Sequence, residues 1–176
     1  RIMLMQIDTP RLTIIPLNYE QLQLYIKADG LLEAELGLEL KPRLIPLELA
    51  EAFEQDILPL VSCSDNYFFS TLWTIVLKDQ KVMVGDLCFK GTPNNAGEVE
   101  IGYGTYEQFQ GNRYMTEAIA AITDWAFAQD GVKVIIAETD ASNFSSHKLL
   151  ESCGFTIYKN VEGMIWWRLI KDYMSS

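Results

Sequence analysis

One segment, residues 97–118, constrains the fold of this chain more than any other. Apolar residues alternate with polar or small ones over residues 98–103, which predicts a strand with one face against a core. Further on, apolar residues recur every three or four positions, which predicts a helix over about 113–129. A short polar turn joins the two, so the sequence predicts a strand, a turn and a long amphipathic helix in direct succession.

The turn before this helix has the features of an anion site. The first N–H groups of a helix lack intrahelical partners, and the positive end of the helix macrodipole favours negative charge there. Main-chain N–H groups of the turn and of the first helical residues would converge on a pyrophosphate. The residues predicted to hold it are Gln110, Gly111, Asn112, Arg113, Tyr114 and Met115.

A second cluster follows the helix. Residues 134–140 are rich in β-formers, and a further helix is predicted to begin after Asn143, a good N-cap, and to end at Gly154. A helical crossover between the two strands predicts that they are parallel and joined with right-handed connectivity. A ligand is then expected at their carboxyl ends, beside the start of the first helix.

Together the two clusters resemble the GNAT superfamily of acetyl-CoA-dependent N-acetyltransferases. The motifs that carry the resemblance are Gln-Gly-x-x-Tyr-Met-Thr-Glu-Ala and Asn-x-x-Ser-x-x-Leu-Leu-Glu-x-x-Gly-Phe, separated by one helix and one strand. The sequence is most similar to the ribosomal-protein N-acetyltransferase branch (RimJ/RimL type). The element order matches over about residues 11–170, and the specific motifs lie within residues 98–155.

The resemblance implies a fold, and it implies which segments form the acceptor site and which bind acetyl-CoA. The fold is α/β, the GNAT acyl-CoA N-acyltransferase fold, with a mixed, mostly antiparallel sheet of six or seven strands flanked by about four helices. A single domain is expected over residues 1–176. Residues 17–69 would shape the acceptor site, and residues 97–155 would form the acetyl-CoA-binding core.

The resemblance also implies how the donor is held. Its pantetheine arm would pair, like an added strand, with main-chain groups of Ile101, Gly102 and Tyr103, and an N–H near Ile101 would polarise the acetyl carbonyl. Asn143 is implied as a contact of the pantetheine, although its role as an N-cap explains it equally well. Acetyl-CoA is thus the expected co-substrate, and no metal is expected.

Arg113 departs from the family pattern, which has glycine at this position of the turn. A Cβ there threatens the phosphate cradle if the residue needs a positive φ. The guanidinium, however, is a permanent cation that can bind phosphate oxygens through two hydrogen bonds. Two alternatives stay open: donor binding that Arg113 compensates, and donor binding that Arg113 impairs.

Two residues are candidates for proton transfer. Glu100 falls where several family members carry a base that acts through a water, although a solvated strand face or an ion pair would also explain it. Ser146 is the candidate proton donor to the leaving thiolate, because the slot where other members have a tyrosine is Leu150. His147 is expected to point away from Ser146, since adjacent helix residues do not share a face.

Composition limits the function classes. The chain has 24 acidic and 14 basic side chains and a net charge of −10, which argues against binding along nucleic acid and favours cationic partners, or serves solubility alone. Its three cysteines form no CxxC pair and are expected to be reduced and mostly buried. No apolar run, including the one at residues 2–5, is long enough for a signal peptide or a membrane span, so a cytoplasmic location is expected.

The remaining segments predict ordinary elements. Trp166 and Trp167 should point to opposite faces of their strand, one into the core and the other to the surface, where it could form an oligomer contact. The predicted elements are a strand at 11–16, a helix capped by Asn18, a short helix within 31–40 broken by Gly37, a helix at 47–60 stopped by Pro59, a hairpin of strands 68–78 and 81–90, and a C-terminal hairpin of strands 156–160 and 164–170.

The function predicted from these observations is acetyl transfer from acetyl-CoA to a primary amine. The acceptor would be a protein N-terminus or a small-molecule amine, attacked directly in a ternary complex. The alternative is a non-catalytic acyl-CoA-binding or interaction module, motivated by Arg113 and by the absent tyrosine. No nucleic acid or membrane partner is expected, and a homodimer is possible.

Overall fold

The computed structural model describes residues 5–63 and 66–172. The apolar opening at residues 2–5 and the predicted loop at 62–66 therefore lie partly outside the described residues. The described strands form one eight-stranded sheet in the order β1-β2-β3-β4-β5-β6-β8-β7. Their bounds are β1 Ile7–Asp8, β2 Leu12–Pro16, β3 Leu72–Leu77, β4 Val82–Phe89, β5 Glu98–Thr105, β6 Val134–Asp140, β7 Thr156–Val161 and β8 Met164–Ile170.

Helices cover both faces of this sheet. They are α1 Tyr19–Lys27, α2 Leu31–Leu36, α3 Leu47–Ala52, α4 Leu58–Ser62, α5 Tyr114–Phe127 and α6 Phe144–Ser152. A π-helical turn, Phe53–Ile57, joins α3 to α4, and a 3-10 turn, Glu107–Phe109, follows β5. Because α3, the π turn and α4 form one continuous helix, the described residues contain five separate helices.

Two cores lie on opposite faces of the sheet. Helices α5 and α6 cover one face, where Ile119, Leu150 and Trp167 are almost fully buried. Helices α1, α2 and the π turn cover the other face over β3 and β4, where Leu22, Tyr25 and Phe53 are buried. Burial of these large side chains stabilises each layer by about 2 kcal/mol per residue.

The predicted sheet is confirmed as mixed, and it is slightly larger than expected. Strands β5 and β6 are parallel, and every other neighbouring pair is antiparallel. The extra strand is β1, a two-residue strand that pairs with β2 through Ile7 and Ile14. Such a short strand carries no period of its own, so the sequence did not reveal it.

Three local predictions were wrong. Pro59 does not stop its helix, because it lies in the first turn of α4, directly after the π turn, where a missing N–H costs little. Strand β3 begins at Leu72 rather than residue 68, since residues 68–70 form a turn that donates to Tyr67 O. Cys63 is exposed, while Cys88 and Cys153 are partly buried and all three are free.

Trp166 and Trp167 divide as predicted. Trp167 is 1% exposed and donates from Nε1 to Thr139 Oγ1 at 3.0 Å. Trp166 is half-buried, and Lys159 lies over its ring. Within the described residues, no helix combines the length and the apolarity that crossing a membrane requires.

Candidate functional site

Strands β5 and β6 separate beyond their first three pairs. Their parallel ladder ends with Glu100 opposite Ile136, although β5 continues to Thr105. The N–H of Lys90 donates to Glu100 O at 2.8 Å, so the main-chain groups of Glu100 face β4. By alternation, those of Tyr103 face the β6 side. Among the described strands, none pairs with that edge at Tyr103, so an opening lies between the two strands.

A cleft of about 710 Å³ lies at this opening. Its walls come from the end of β5, the turn before α5, the start of α5 and one face of α6. The lining includes the cations Arg113 and Lys148 and, among the described residues, no aspartate or glutamate. In a chain with a net charge of −10, this is a locally positive cleft that favours an anionic ligand.

The cleft gathers eight of the twelve residues predicted for the site. These are Tyr103, Gln110, Gly111, Arg113, Tyr114, Met115, Asn143 and Ser146. Glu100, Ile101 and Gly102 lie on β5 just before the opening, and Asn112 is not among the lining residues, since its side chain donates to Phe109 O and Gln110 O within the turn. The sequence thus located the cleft correctly, whereas the roles of the individual residues remain predictions.

Helix α5 presents unpaired N–H groups to the cleft. Its first intrahelical bond is donated by the Glu117 N–H to Arg113 O at 3.2 Å, so the N–H groups of Tyr114, Met115 and Thr116 precede that ladder. No side chain caps this helix. The Met115 side chain is only 5% exposed and packs into the core, which fixes the first turn against the sheet. An anion placed here would meet several N–H donors and the positive helix end.

Arg113 adopts the left-handed conformation, with φ of 61°. Gly111, two residues earlier, has φ of 85°. The position does require a positive φ, the condition under which the sequence predicted strain for a residue with a Cβ. The Arg113 side chain is exposed at the cleft, and its guanidinium forms no hydrogen bond or ion pair with the described residues.

Arg11 holds the turn against the sheet from outside the cleft. It donates from Nε to Glu117 Oε1 at 2.8 Å and from Nη1 to Asn112 O at 3.0 Å. Its guanidinium also lies over the Tyr114 ring, 4.7 Å from the centroid. These contacts join the start of β2 to both sides of the turn. They also explain why Asn112 is a structural member of the turn rather than part of the cleft lining.

A pair of hydroxyls spans the cleft from strand to helix. Tyr103 OH and Ser146 Oγ lie 2.5 Å apart. Ser146 is held by Asn143, whose Oδ1 accepts from the Ser146 N–H at 3.3 Å, as the N-cap prediction required. Burial raises the pKa of Tyr103, and the hydrogen bond with Ser146 opposes that rise.

Glu100 lies on the opposite face of β5 from Tyr103. Its Oε2 is 2.6 Å from Nζ of Lys90, the residue directly after strand β4, so the predicted base is an ion-paired carboxylate. Gly102 and Gly104 share this face, and a Cβ at Gly104 would meet nothing within 4 Å. A Cβ at Gly102 would instead contact Cys88 Sγ at 3.7 Å and Lys90 Cε at 3.8 Å, so the open space on this face lies at Gly104.

The remaining candidates on α6 do not contribute reactive groups to the cleft. Leu150, in the slot of the expected tyrosine, is 0% exposed and belongs to the core. His147 turns away from Ser146, as predicted, and its Nε2 lies 3.0 Å from Asp140 O. Cys153 Sγ contacts Thr116 O at 3.6 Å, which is a structural contact between α6 and α5.

A buried carboxylate that the sequence did not single out lies on the same face as Glu100, under α1. Asp86 Oδ2 accepts from Tyr25 OH at 2.5 Å and from Tyr106 OH at 3.0 Å. Burial raises the pKa of Asp86 to about 6, and the two phenol donors oppose that rise. Asp86 Oδ1 is buried without a hydrogen bond among the described residues.

An ion pair closes this cluster from the loop between α2 and α3. Arg43 Nε donates to Glu33 Oε1 at 2.8 Å, and both side chains are about 5% exposed or less. The guanidinium lies 4.4 Å from the centroid of the Tyr25 ring and donates to Tyr25 O at 3.1 Å. The irregular loop before α3 is thereby tied to α1 and to the face that Glu100 shares.

Lys148 is a cleft residue that the sequence analysis missed. It lies three residues after Ser145 and one residue before Leu149, and all three line the cleft. Helical spacing from Ser145 would have found it, because positions three and four apart share a face.

Comparison with known proteins identifies the family. The family model described as "Acetyltransferase (GNAT) domain" matches residues 11–156. The protein called "Uncharacterized N-acetyltransferase YjdG" from Bacillus subtilis (strain 168) is 30% identical over 161 residues, which cover 91% of this chain and 95% of the relative.

Solved structures share the fold at lower identity. The ribosomal-protein-S5-alanine acetyltransferase from Vibrio fischeri superposes with a TM-score of 0.69 at 17% identity, covering 98% of this chain and 100% of the other. RimL, a ribosomal L7/L12 alpha-N-protein acetyltransferase solved with coenzyme A, superposes with a TM-score of 0.66 at 15% identity, covering 94% and 98%. With the family model matching most of its length, the chain belongs to the GNAT acetyltransferase family.

Proposed function

We propose that this protein transfers the acetyl group of acetyl-CoA to a primary amine. The observation that carries the proposal is the positive cleft at the opening between β5 and β6, lined by Arg113, Lys148 and the uncapped start of α5. A diphosphate fits the N–H groups and the two cations. The unpaired edge of β5 fits a peptide-like arm that ends in a thioester.

Each part of the donor has a candidate partner. The pyrophosphate would contact main-chain N–H groups of residues 110–115, aided by the Arg113 guanidinium. The pantetheine would pair with main-chain groups of Ile101 and Tyr103, with Asn143 as a further contact. The main-chain groups of Gly102, which was also predicted as a contact, face β4 instead. An N–H near Ile101 would stabilise the negative charge that develops on the carbonyl oxygen.

Glu100 is our candidate for the base. An amine of ordinary pKa is protonated at neutral pH and must lose a proton before it attacks the thioester. Glu100 lies beside the opening, on the face where Gly104 leaves space for an acceptor. Lys90 would then hold the carboxylate in place, and a water would bridge it to the amine. Attack occurs directly in a ternary complex.

The acceptor is a primary amine on a peptide N-terminus or on a small molecule. The net charge of −10 favours a cationic acceptor and disfavours nucleic acid as a partner. Helices α1 to α4 and the Arg43–Glu33 pair border the acceptor side and would set its specificity. We further propose a cytoplasmic location, which the three free cysteines fit, and a homodimer as a possible assembly.

The second candidate function is an acyl-CoA-binding module without catalysis. The ion pair between Glu100 and Lys90 favours it, because the carboxylate already has a partner and is not free to contact an acceptor amine. Leu150, fully buried in the tyrosine slot, favours it as well. Both functions require the same cleft, so ligand binding alone does not separate them.

A two-stage experiment tests the proposal. Acetyl-CoA at a hundredfold excess over its Kd should stabilise the protein by about 2.7 kcal/mol in a thermal-shift titration. Free-thiol release is then followed across a panel of N-terminal peptides, diamines and amino-acid amides. Stabilisation with amine-dependent thiol release supports the enzyme, stabilisation without release supports the binding module, and no stabilisation contradicts both.

A further inference from the structure

The Tyr103–Ser146 pair is a direct contact between two walls of the cleft. The hydroxyls lie 2.5 Å apart, one on the unpaired part of β5 and the other in the first turn of α6. Both residues line the cleft. Their side chains therefore meet at the place where the proposed donor arm would pass between strand and helix.

A serine hydroxyl is a poor source of protons by itself. Its alkoxide is far too basic to persist, so Ser146 can give a proton to a thiolate only while it receives another. The phenol of tyrosine, with an ordinary pKa near 10, is a far stronger acid and lies at hydrogen-bond distance from Ser146 Oγ. The hydrogen bond therefore links Ser146, a weak proton donor, to Tyr103, which can replace the proton that Ser146 gives up.

We propose that Tyr103 is the proton source for the departing CoA thiolate and that Ser146 Oγ delivers the proton. The inference rests on the proposed acetyl transfer and gives the Tyr103 side chain a role, whereas the resemblance assigned only its main-chain groups. Ser146 is the group that touches the sulfur, and Tyr103 acts through it. The strand, not the helix, thus supplies the phenol.

The atoms balance in a single turnover. The acetyl carbon forms a bond to the amine nitrogen and loses its bond to sulfur, and the sulfur takes the electron pair. The Ser146 hydroxyl proton moves to the thiolate while the Tyr103 proton moves to Ser146 Oγ. The acceptor ammonium loses two protons through Glu100 to solvent, one before attack and one as the amide forms. Solvent returns one proton to the Tyr103 phenolate, so each turnover releases one proton. No oxidant or further reactant is needed.

Tyr114 and Lys148 also line the described cleft, but Tyr103 is the residue whose side chain is hydrogen-bonded to Ser146 Oγ. Leu150 is apolar and fully buried, and His147 contacts Asp140 O on the far side of the helix. Tyr114 lies at the cleft, but Arg11 covers its ring at the pyrophosphate end. Burial raises the pKa of Tyr103, which keeps the phenol protonated at neutral pH but also makes it a weaker acid, so the assignment rests on the hydrogen bond to Ser146.

The test reads the thiol itself and needs no acceptor. Free CoA and desulfo-CoA, which lacks the thiol, are bound to wild type, Tyr103→Phe and Ser146→Ala, and the thiolate absorbance of bound CoA is titrated with pH. Hydrogen bonds donated by the two hydroxyls stabilise the thiolate. The pKa of the bound thiol should therefore be about 1 to 2 pH units lower in wild type than in either variant. The double variant should match Ser146→Ala, because Tyr103 reaches the sulfur only through Ser146 Oγ.

Three controls make the outcomes decisive. Tyr158→Phe removes a phenol from β7, outside the cleft, and should leave the thiol pKa unchanged. Affinity for desulfo-CoA should be the same in every protein, since a merely structural role of Tyr103 would change it. If Tyr103→Phe does not fold, Ser146→Ala and a difluorotyrosine at position 103, whose more acidic phenol should lower the thiol pKa further, decide the question.

An equal thiol pKa in wild type and Tyr103→Phe would overturn this inference while leaving the proposed function intact. Failure of wild type to bind either CoA or desulfo-CoA would instead overturn the proposed function. A changed desulfo-CoA affinity with an unchanged thiol pKa would show that the pair shapes the cleft and donates no proton.

Discussion

Gly111 and Arg113 both adopt positive φ, at 85° and 61°, two residues apart in the turn before α5. The family pattern has glycine at the second of these positions, and this chain keeps the conformation with an arginine. Left-handed backbone costs a residue with a Cβ about 1 kcal/mol. The chain therefore accepts strain at the point where its guanidinium reaches the cleft.

Replacing Arg113 by glycine separates the two alternatives for donor binding. We expect Arg113→Gly to change the free energy of unfolding by less than about 1 kcal/mol, because relief of strain offsets the added freedom of the unfolded chain. Acetyl-CoA affinity should fall about tenfold or more with loss of a phosphate contact. Titration calorimetry measures it, with Arg113→Lys, which keeps the charge, retaining part of the affinity. A marked gain in affinity for the glycine variant would show that Arg113 impairs binding.

The role of Glu100 can be tested against its neighbour on the same strand face. With an amine that supports thiol release, Glu100→Gln should lower kcat by about a hundredfold or more, because the amine loses its proton acceptor. Glu98→Gln, two residues away and hydrogen-bonded to Asn94, is the matched control and should retain wild-type kcat. The thermal shift with acetyl-CoA should be equal in both. Equal kcat in the two variants would remove Glu100 from the mechanism.

The buried pair Arg43–Glu33 predicts a stability effect of known sign. Arg43→Met leaves an unpaired buried carboxylate and should lower the free energy of unfolding by about 3 to 5 kcal/mol. Adding Glu33→Leu should restore most of this loss. Urea denaturation measures both, and Lys78→Met, which breaks the exposed Lys78–Asp8 pair, should cost less than about 1 kcal/mol. Additive losses in the double variant would mean that the pair is not coupled.

Asp86 predicts a pH dependence of stability. Its pKa rises from an ordinary 3.8 to about 6 in the folded protein, so the native state binds this proton more tightly than the unfolded chain. That contribution to stability is complete below about pH 4 and is lost as the pH rises through the folded pKa, by roughly 3 kcal/mol in total. The groups that face the carboxyl are Tyr25, Tyr106, Arg43 and Thr74.

Asp86→Asn should remove this dependence. The free energy of unfolding of wild type minus that of the variant should therefore decrease between pH 4 and pH 7, measured by urea denaturation at each pH. Asp79→Asn, in the exposed turn between β3 and β4, controls for loss of a surface charge. A difference that stays constant or increases with pH would contradict the raised pKa of Asp86.

Local signals in the sequence were sufficient to predict the strands and helices around the proposed acetyl-CoA site. The strand period before Thr105, the N-cap at Asn143 and the left-handed Gly154 each depend on neighbours within a few residues. The ends of β6 and β8 were predicted to the residue for the same reason. The family motif then placed these elements around one cleft.

Contacts between distant residues could not be predicted in this way. The Lys90–Glu100 ion pair depends on the register of β4 against β5, which a turn-rich connection sets. The Tyr103–Ser146 contact joins residues 43 positions apart and requires the crossover to bring α6 onto the edge of β5. The Asp86 carboxylate looks like an ordinary strand residue until α1 covers it, since alternation alone does not reveal which face is buried.

The most direct measurement of the central claim is amide hydrogen exchange with and without acetyl-CoA. The account predicts slower exchange at the Tyr103 amide, on the unpaired edge of β5, and at the Tyr114, Met115 and Thr116 amides that start α5. Amides of β2 and β3, far from the cleft, should exchange at the same rate in both samples. Binding of acetyl-CoA with unchanged exchange at both Tyr103 and Met115 would contradict the proposed donor site.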